Sequence, residues 1–129
     1  MRPAVPRYPP MSDSPTPPRL LYCRCAYAQV VPQETKDAVL QHLSAGAAAF
    51  DAVADLCEMS AARDPRLAAL AAAGPLKIAA CHRRAVQWLF HAAEAPLQAD
   101  TLEVVNMRTL SAAECCARLD APEIDAEAP

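Results

Sequence analysis

Glycine is almost missing: Gly46 and Gly74 are the only two in 129 residues. Phosphate-cradling loops of the dinucleotide and nucleotide-triphosphate types need several glycines, because the backbone must approach the phosphates closely. Neither loop can be built here. Aromatic residues are also scarce, at 5%, so the core must be filled by aliphatic side chains and alanine. No charge sign dominates, with 12 Lys plus Arg against 15 Asp plus Glu. A general nucleic-acid binder would show a concentrated basic face, so no nucleic-acid partner is expected. Long apolar runs are missing too. The best, 67–81, is broken by Gly74-Pro75 and Lys77, which argues against membrane insertion. The N-terminal stretch lacks the apolar region of a secretory signal. A reducing, cytoplasmic setting is therefore expected.

Cysteine and proline are plentiful, with six and 13 copies. In a reducing compartment, clustered cysteines more often bind metal or react than form disulfides. Many of the prolines lie in 1–18, between small polar residues, and this stretch is expected to be a disordered tail. Met11 offers a second possible start. A single α/β domain is expected over 19–119, followed by a disordered acidic tail over 120–129.

Within the domain, apolar periodicity alternates between strand and helix. Leu20–Cys23 reads as a strand. Pro32 opens a helix whose stripe is Val39, Leu40 and Leu43, and Gly46 stops it. Residues 50–56 read as a second strand, with a short helical turn after Cys57. Asp64-Pro65 opens a further helix with Leu67 and Leu70 buried, and Gly74-Pro75 closes it. The short run 76–80, apolar apart from Lys77, suits a strand buried on both faces. A helix over 83–95 ends before Pro96. A fourth strand covers 101–105, and Ser111 with Glu114 forms a capping box for a last helix. This order predicts an α/β fold: a small, open, mostly parallel four-stranded sheet with flanking helices, of Rossmann-like or flavodoxin-like topology.

Four cysteines stand where the apolar runs stop: Cys23, Cys25, Cys57 and Cys81. Ends of parallel strands form the edge at which open α/β sheets bind ligands. Four thiolates there suit tetrahedral zinc or a [4Fe–4S] cluster. Structural zinc usually takes two Cys-x-x-Cys knuckles. Here one Cys-x-Cys is followed by two isolated cysteines, and ligands arriving singly from separate strands favour a cluster. Arg24 between two of the thiols, and His82, Arg83 and Arg84 after Cys81, would offset the negative charge of such a group. Arg108 ends the fourth strand and faces either the same edge or a salt bridge.

These segments resemble a known family. They are Leu21-Tyr22-Cys23-Arg24-Cys25, Val53-Ala54-Asp55-Leu56-Cys57, 77–85 around Ala80-Cys81-His82, and Glu103-Val104-Val105-Asn106-Met107-Arg108. Together, over roughly 20–108, they resemble the N-terminal iron–sulfur domain of the heterodisulfide reductase A subunit. The resemblance implies a [4Fe–4S] cluster held by Cys23, Cys25, Cys57 and Cys81, with Arg24, His82, Arg83 and Arg108 around it. It implies a non-catalytic electron-transfer subunit serving a flavoprotein or ferredoxin-like partner. The family places glycines after Cys-x-Cys, where this chain has Ala26-Tyr27-Ala28. It does not extend to flavin binding or disulfide reduction.

The competing reading is a zinc-stabilised or metal-free interaction module whose thiols only pack. Cys115 and Cys116 are expected to be ordinary positions of the last helix. His42 and His91 are expected on surfaces or in packing, and Trp88 and Phe90 in the core or against a partner. No Ser/His/Asp or Cys/His catalytic set can be assembled, because adjacent strand residues such as Cys81 and His82 point to opposite faces.

Overall fold

The structure, a computed structural model, describes residues 18–25, 31–72 and 74–126. Four strands lie in one open sheet: β1 (Arg19–Cys23), β2 (Phe50–Val53), β3 (Leu76–Ala80) and β4 (Leu102–Asn106). Every pairing is parallel, in the spatial order β2-β1-β3-β4. Five α-helices join or follow them: α1 (Gln33–Ala45), α2 (Leu56–Ala61), α3 (Arg66–Ala71), α4 (Arg83–Ala92) and α5 (Ala112–Asp120). A 3₁₀ turn, Ala99–Thr101, leads into β4. The expected α/β class and open sheet are thus observed, and the sheet is parallel throughout.

The two faces are covered by different helices. From β1 the chain crosses through α1 to β2 on one side, and from β3 it crosses through α4 to β4 on the other. Right-handed crossovers running in opposite directions put α1 and α4 on opposite faces. Accordingly α1 packs with α5, while α2 and α3 pack with α4. The alternation of strand side chains serves both layers. Tyr22 points to the α1 layer, where its hydroxyl donates to the Lys36 carbonyl at 3.0 Å. The central strands are buried over almost their whole length, β3 at every residue and β1 from Leu20 onward. Leu21, Ile78, Val86, Phe90 and Val104 form the middle of the core.

Local chemistry sets the helix ends. The Ser111 hydroxyl accepts from the Glu114 N–H, and the Glu114 carboxylate accepts from the Ser111 N–H, completing the expected capping box. Gly46 ends α1, and Gly74 sits at a φ of 95°, a left-handed value that glycine adopts without strain. Pro32 precedes α1 as its cap residue.

Two boundaries differ from the sequence expectation. The second strand stops at Val53 and does not reach Leu56. Asp55 is the reason: its carboxylate accepts from the N–H groups of Cys57 at 2.8 Å and Glu58 at 3.3 Å, so a helix begins at Leu56. The fourth helix ends at Ala92, before a left-handed Glu94. Of the stretch read as an acidic tail, Asp120 belongs to α5, and the next residues are hydrogen-bonded to the sheet. The Lys77 ammonium donates to the carbonyls of Arg118 and Ala121, and the Asp125 N–H donates to Glu103. The Pro-rich stretch up to Thr16-Pro17 lies outside the described residues, as does 127–129.

Candidate functional site

The carboxyl edge of the sheet carries the ends of all four strands. Because the order is β2-β1-β3-β4, the chain leaves the central pair β1 and β3 in opposite directions. The crevice between their carboxyl ends is the topological switch point, where open α/β sheets bind ligands. Cys23 is the last residue of β1, and Cys25 follows it by two. Cys81 directly follows β3. Cys57 reaches the same edge differently, from the first turn of α2 rather than from a strand end.

The four thiols have unequal surroundings. Cys23 is buried and points away from Tyr22, toward α2. The Leu56 N–H donates to its sulfur at 3.4 Å. Burial pushes the Cys23 thiol up to about 12, while N–H groups of Leu56 and Cys25 act in the opposite sense. Cys25 is buried with a φ of 56°. Arg63 and Glu94 are also left-handed, but both are exposed turn residues. A buried, non-glycine residue in this conformation stores about 1–3 kcal/mol of backbone strain. Cys57 is exposed and Cys81 half-buried. The Cys57 thiol is pushed up by partial burial first, then by the Asp55 carboxylate, and then by Cys25 and Cys81. Three of the four sulfurs therefore share one electrostatic neighbourhood.

The surrounding basic side chains divide into two groups. Arg24 is exposed between Cys23 and Cys25, and its N–H donates to the Val53 carbonyl. Arg108 is exposed after β4, in a turn fixed by its N–H to the Asn106 side chain at 2.9 Å. His82 caps α4, its Nδ1 accepting from the Arg84 N–H at 3.0 Å. Arg83 is engaged elsewhere: its guanidinium donates to the carbonyls of Leu102 at 2.9 Å and Ala99 at 3.0 Å. It lies along the outer edge of β4 instead of over the thiols.

The donor chemistry fits a thiolate-held metal or cluster. Four soft ligands stand on one edge, with backbone N–H groups on the sulfur of one and cations nearby. As the side chains stand, no three Cys, His, Asp or Glu groups among the described residues are close enough together to hold a metal ion. Closing the site would require the thiols to be drawn inward and deprotonated. The loop Ala26-Tyr27-Ala28, where the family has glycines, lies outside the described residues.

Cys115 and Cys116 stand apart on α5. Cys115 is fully buried in the core, and burial raises its thiol to about 11. Phe90 is buried, whereas Trp88 is 65% exposed. His42 joins α1 to α5 through Asp120 at 2.9 Å. Sequence reasoning missed Asp55, the residue that places Cys57. Its signal was present: Asp55 followed three residues later by Glu58 is a helix-start pattern.

No family model, no curated protein and no solved structure matches this chain. The class defined by fold and site is an open, all-parallel, doubly wound α/β domain with four thiols at its carboxyl edge. Among the described residues, no helix is long and apolar enough to cross a membrane.

Proposed function

We propose that this domain holds a [4Fe–4S] cluster through Cys23, Cys25, Cys57 and Cys81 and passes single electrons to or from a redox protein partner in a reducing cytoplasm. The observation that carries the reading is the placement of four cysteines around one switch-point edge. The likeness of 20–108 to the heterodisulfide reductase A iron–sulfur domain supports the same assignment. When bound, such a cluster supplies a one-electron couple. The chain's own residues would supply the rest. Cys23 and Cys25 give two thiolates from one turn, and Cys57 and Cys81 give one each from α2 and the end of β3. The N–H groups of Leu56 and Cys25 would stabilise sulfur charge at Cys23. Arg24 and Arg108 would offset the net negative charge, His82 would cap α4 beside Cys81, and Asp55 would hold Cys57 in position.

A second reading has its own observation. The Cys23 sulfur is buried and accepts a hydrogen bond from the Leu56 N–H, as a packing thiol would. On that reading the chain is a metal-free or zinc-stabilised interaction module. Anaerobic reconstitution with iron and sulfide separates the two. The cluster reading expects about four irons per chain, a brown chromophore and a reducible paramagnetic signal. Cys57→Ser should lower the iron content, and Cys115→Ser with Cys116→Ser should leave it unchanged. Tightly bound zinc with no iron uptake, or no metal at all, would refute the cluster.

A further inference from the structure

The arginines of the described residues fall into two classes. Arg19, Arg63, Arg66 and Arg118 are ion-paired, with Asp51, Glu94, Asp64 and Glu103 respectively. These four stand toward the amino end of the sheet. Arg19 opens β1, and Arg66 lines a hollow with it. Arg63 meets Glu94 beyond the end of α4, and Arg118 lies in the last turn of α5. Arg83 is held by the Leu102 and Ala99 carbonyls. Arg24, Arg84 and Arg108 are different: all are exposed, and no carboxylate among the described residues pairs with them. They mark the carboxyl end. Arg24 follows β1, Arg84 lies in the first turn of α4 after β3, and Arg108 follows β4. Those three strands are neighbours. Unpaired guanidiniums thus stand along one edge of a chain whose net charge is -3.

The acids at this end have other work. Glu34, Glu58 and Glu114 sit in the first turns of α1, α2 and α5, where a carboxylate balances the helix dipole. Asp55 caps α2. The residues outside the described ones bring no surplus of acid either, since their charged side chains are Arg2, Arg7, Asp13 and Glu127. Trp88 belongs to the same surface. It is the chain's one tryptophan, and the one exposed large hydrophobic side chain among the described residues. One helical turn after Arg84, it shares a shallow hollow with Arg84, Gln87 and His91, and its ring lies 5.5 Å from that of His91. The packing of α4 is carried by Val86 and Phe90, which are buried. Tryptophan and arginine are the residues enriched at the centres of protein interfaces.

We infer that the carboxyl edge and the exposed face of α4 form a docking surface for an acidic protein. Carboxylates of that partner meet Arg24, Arg84 and Arg108, and an apolar group of the partner covers Trp88. Charge complementarity selects the partner class, because opposite charge steers the encounter and fixes the orientation of docking. Cys23, Cys25 and Cys81 stand at the ends of β1 and β3, so a partner held by Arg24 and Arg84 sits over the thiol edge. Calling that partner a redox protein rests on the cluster reading. The docking itself does not.

Titration of the metal-free full chain with short poly-L-glutamate, under reductant, tests it. Trp88 is the only tryptophan, so its emission reports on this face alone. A saturable change is expected at low ionic strength and should be lost at high ionic strength. Arg84→Glu and Arg108→Glu should each weaken binding about tenfold or more. Arg63→Glu makes the same charge change away from this edge and should leave binding nearly unchanged. Glutamate suits a first helical turn, and the turn at Arg108 is fixed through its backbone N–H, so circular dichroism should show both variants folded. If either fails to fold, the other carries the test. Absence of saturable binding overturns the inference, as does an equal loss in Arg63→Glu. Tighter binding of poly-uridylate than of poly-L-glutamate would assign the face to nucleic acid and overturn it. A change in Trp88 emission with chain concentration alone would assign the face to a second copy and overturn it too. Failure to take up iron would refute the cluster and leave this titration standing.

Discussion

The unusual energetics of this molecule sit on individual thiols. Cys23 titrates near 12 because its thiolate would lie in an apolar environment, against an ordinary value of 9.0. The folded chain therefore holds this proton more tightly than the unfolded chain does. Below pH 9 both states are protonated, and Cys23 contributes nothing to the pH dependence. From about pH 9 to about pH 12 the unfolded thiol ionises first. Stability should then fall as pH rises, by at most about 1.4 kcal/mol per unit from this residue. Urea unfolding across that window should show the decline, and Cys23→Ala should remove its own share, leaving that of the buried Cys115 thiol, while lowering stability throughout. Metal loading should reverse the logic, since thiolate ligation releases protons and strengthens with pH. Cys25 makes a second prediction. Its left-handed φ of 56° suits glycine. Cys25→Gly should relieve about 1 kcal/mol of strain in the metal-free chain, offset in part by the lost burial of the side chain. Cys25→Ala should give no relief, because it keeps the Cβ. Comparing the urea midpoints of the two variants checks this. Either variant should reduce iron uptake if Cys25 is a ligand.

At the scale of elements, Lys77 joins a strand to a helix end. It is fully buried in β3, opposite Glu103 of β4, with its ammonium 3.5 Å from the Glu103 carboxylate. The same ammonium donates to the carbonyls of Arg118 and Ala121, which α5 cannot satisfy at its own C-terminus. Glu103 also pairs with Arg118 at 3.0 Å. Removing one member of a buried pair strands its partners, so Lys77→Met should cost about 3–5 kcal/mol. Combining it with Glu103→Gln should cost less than the two single changes added together. Denaturant unfolding of the four chains closes that cycle. The sequence hid this contact, because a lysine inside an apolar run signals only an interruption. Other elements were legible from local chemistry. Ser111 with Glu114 announced α5, Gly74-Pro75 closed α3, and the four apolar residues of 76–80 announced a strand covered on both faces. The second strand was overextended because Ala54, Asp55 and Leu56 continue a pattern compatible with a strand. The competing force was the Asp55 cap, which starts a helix at Leu56, one residue before Cys57. That Cys23, Cys25 and Cys81 stand at strand ends was readable from the apolar runs, whereas the arrival of Cys57 from the first turn of α2 was not. The unequal burial of their sulfurs was not, since it depends on how α2 and α4 lean over that edge.

For the whole molecule, strand order sets a ranking of local stability. β1 and β3 are paired on both sides and buried between helix layers, so their amides should exchange only through global opening. β4 is an edge strand, but its burial and its cover by Arg83 and the segment around Asp125 should keep it close behind. β2 has a partner on one side only. In a monomer, the outward amides of Phe50 and Ala52 should exchange quickly, while the inward amides of Asp51 and Val53 stay protected through β1. Hydrogen exchange read residue by residue by NMR makes the comparison within one strand, so a general change in stability cannot imitate it. Slow exchange at Phe50 and Ala52 as well would mean that the outer side of β2 is covered.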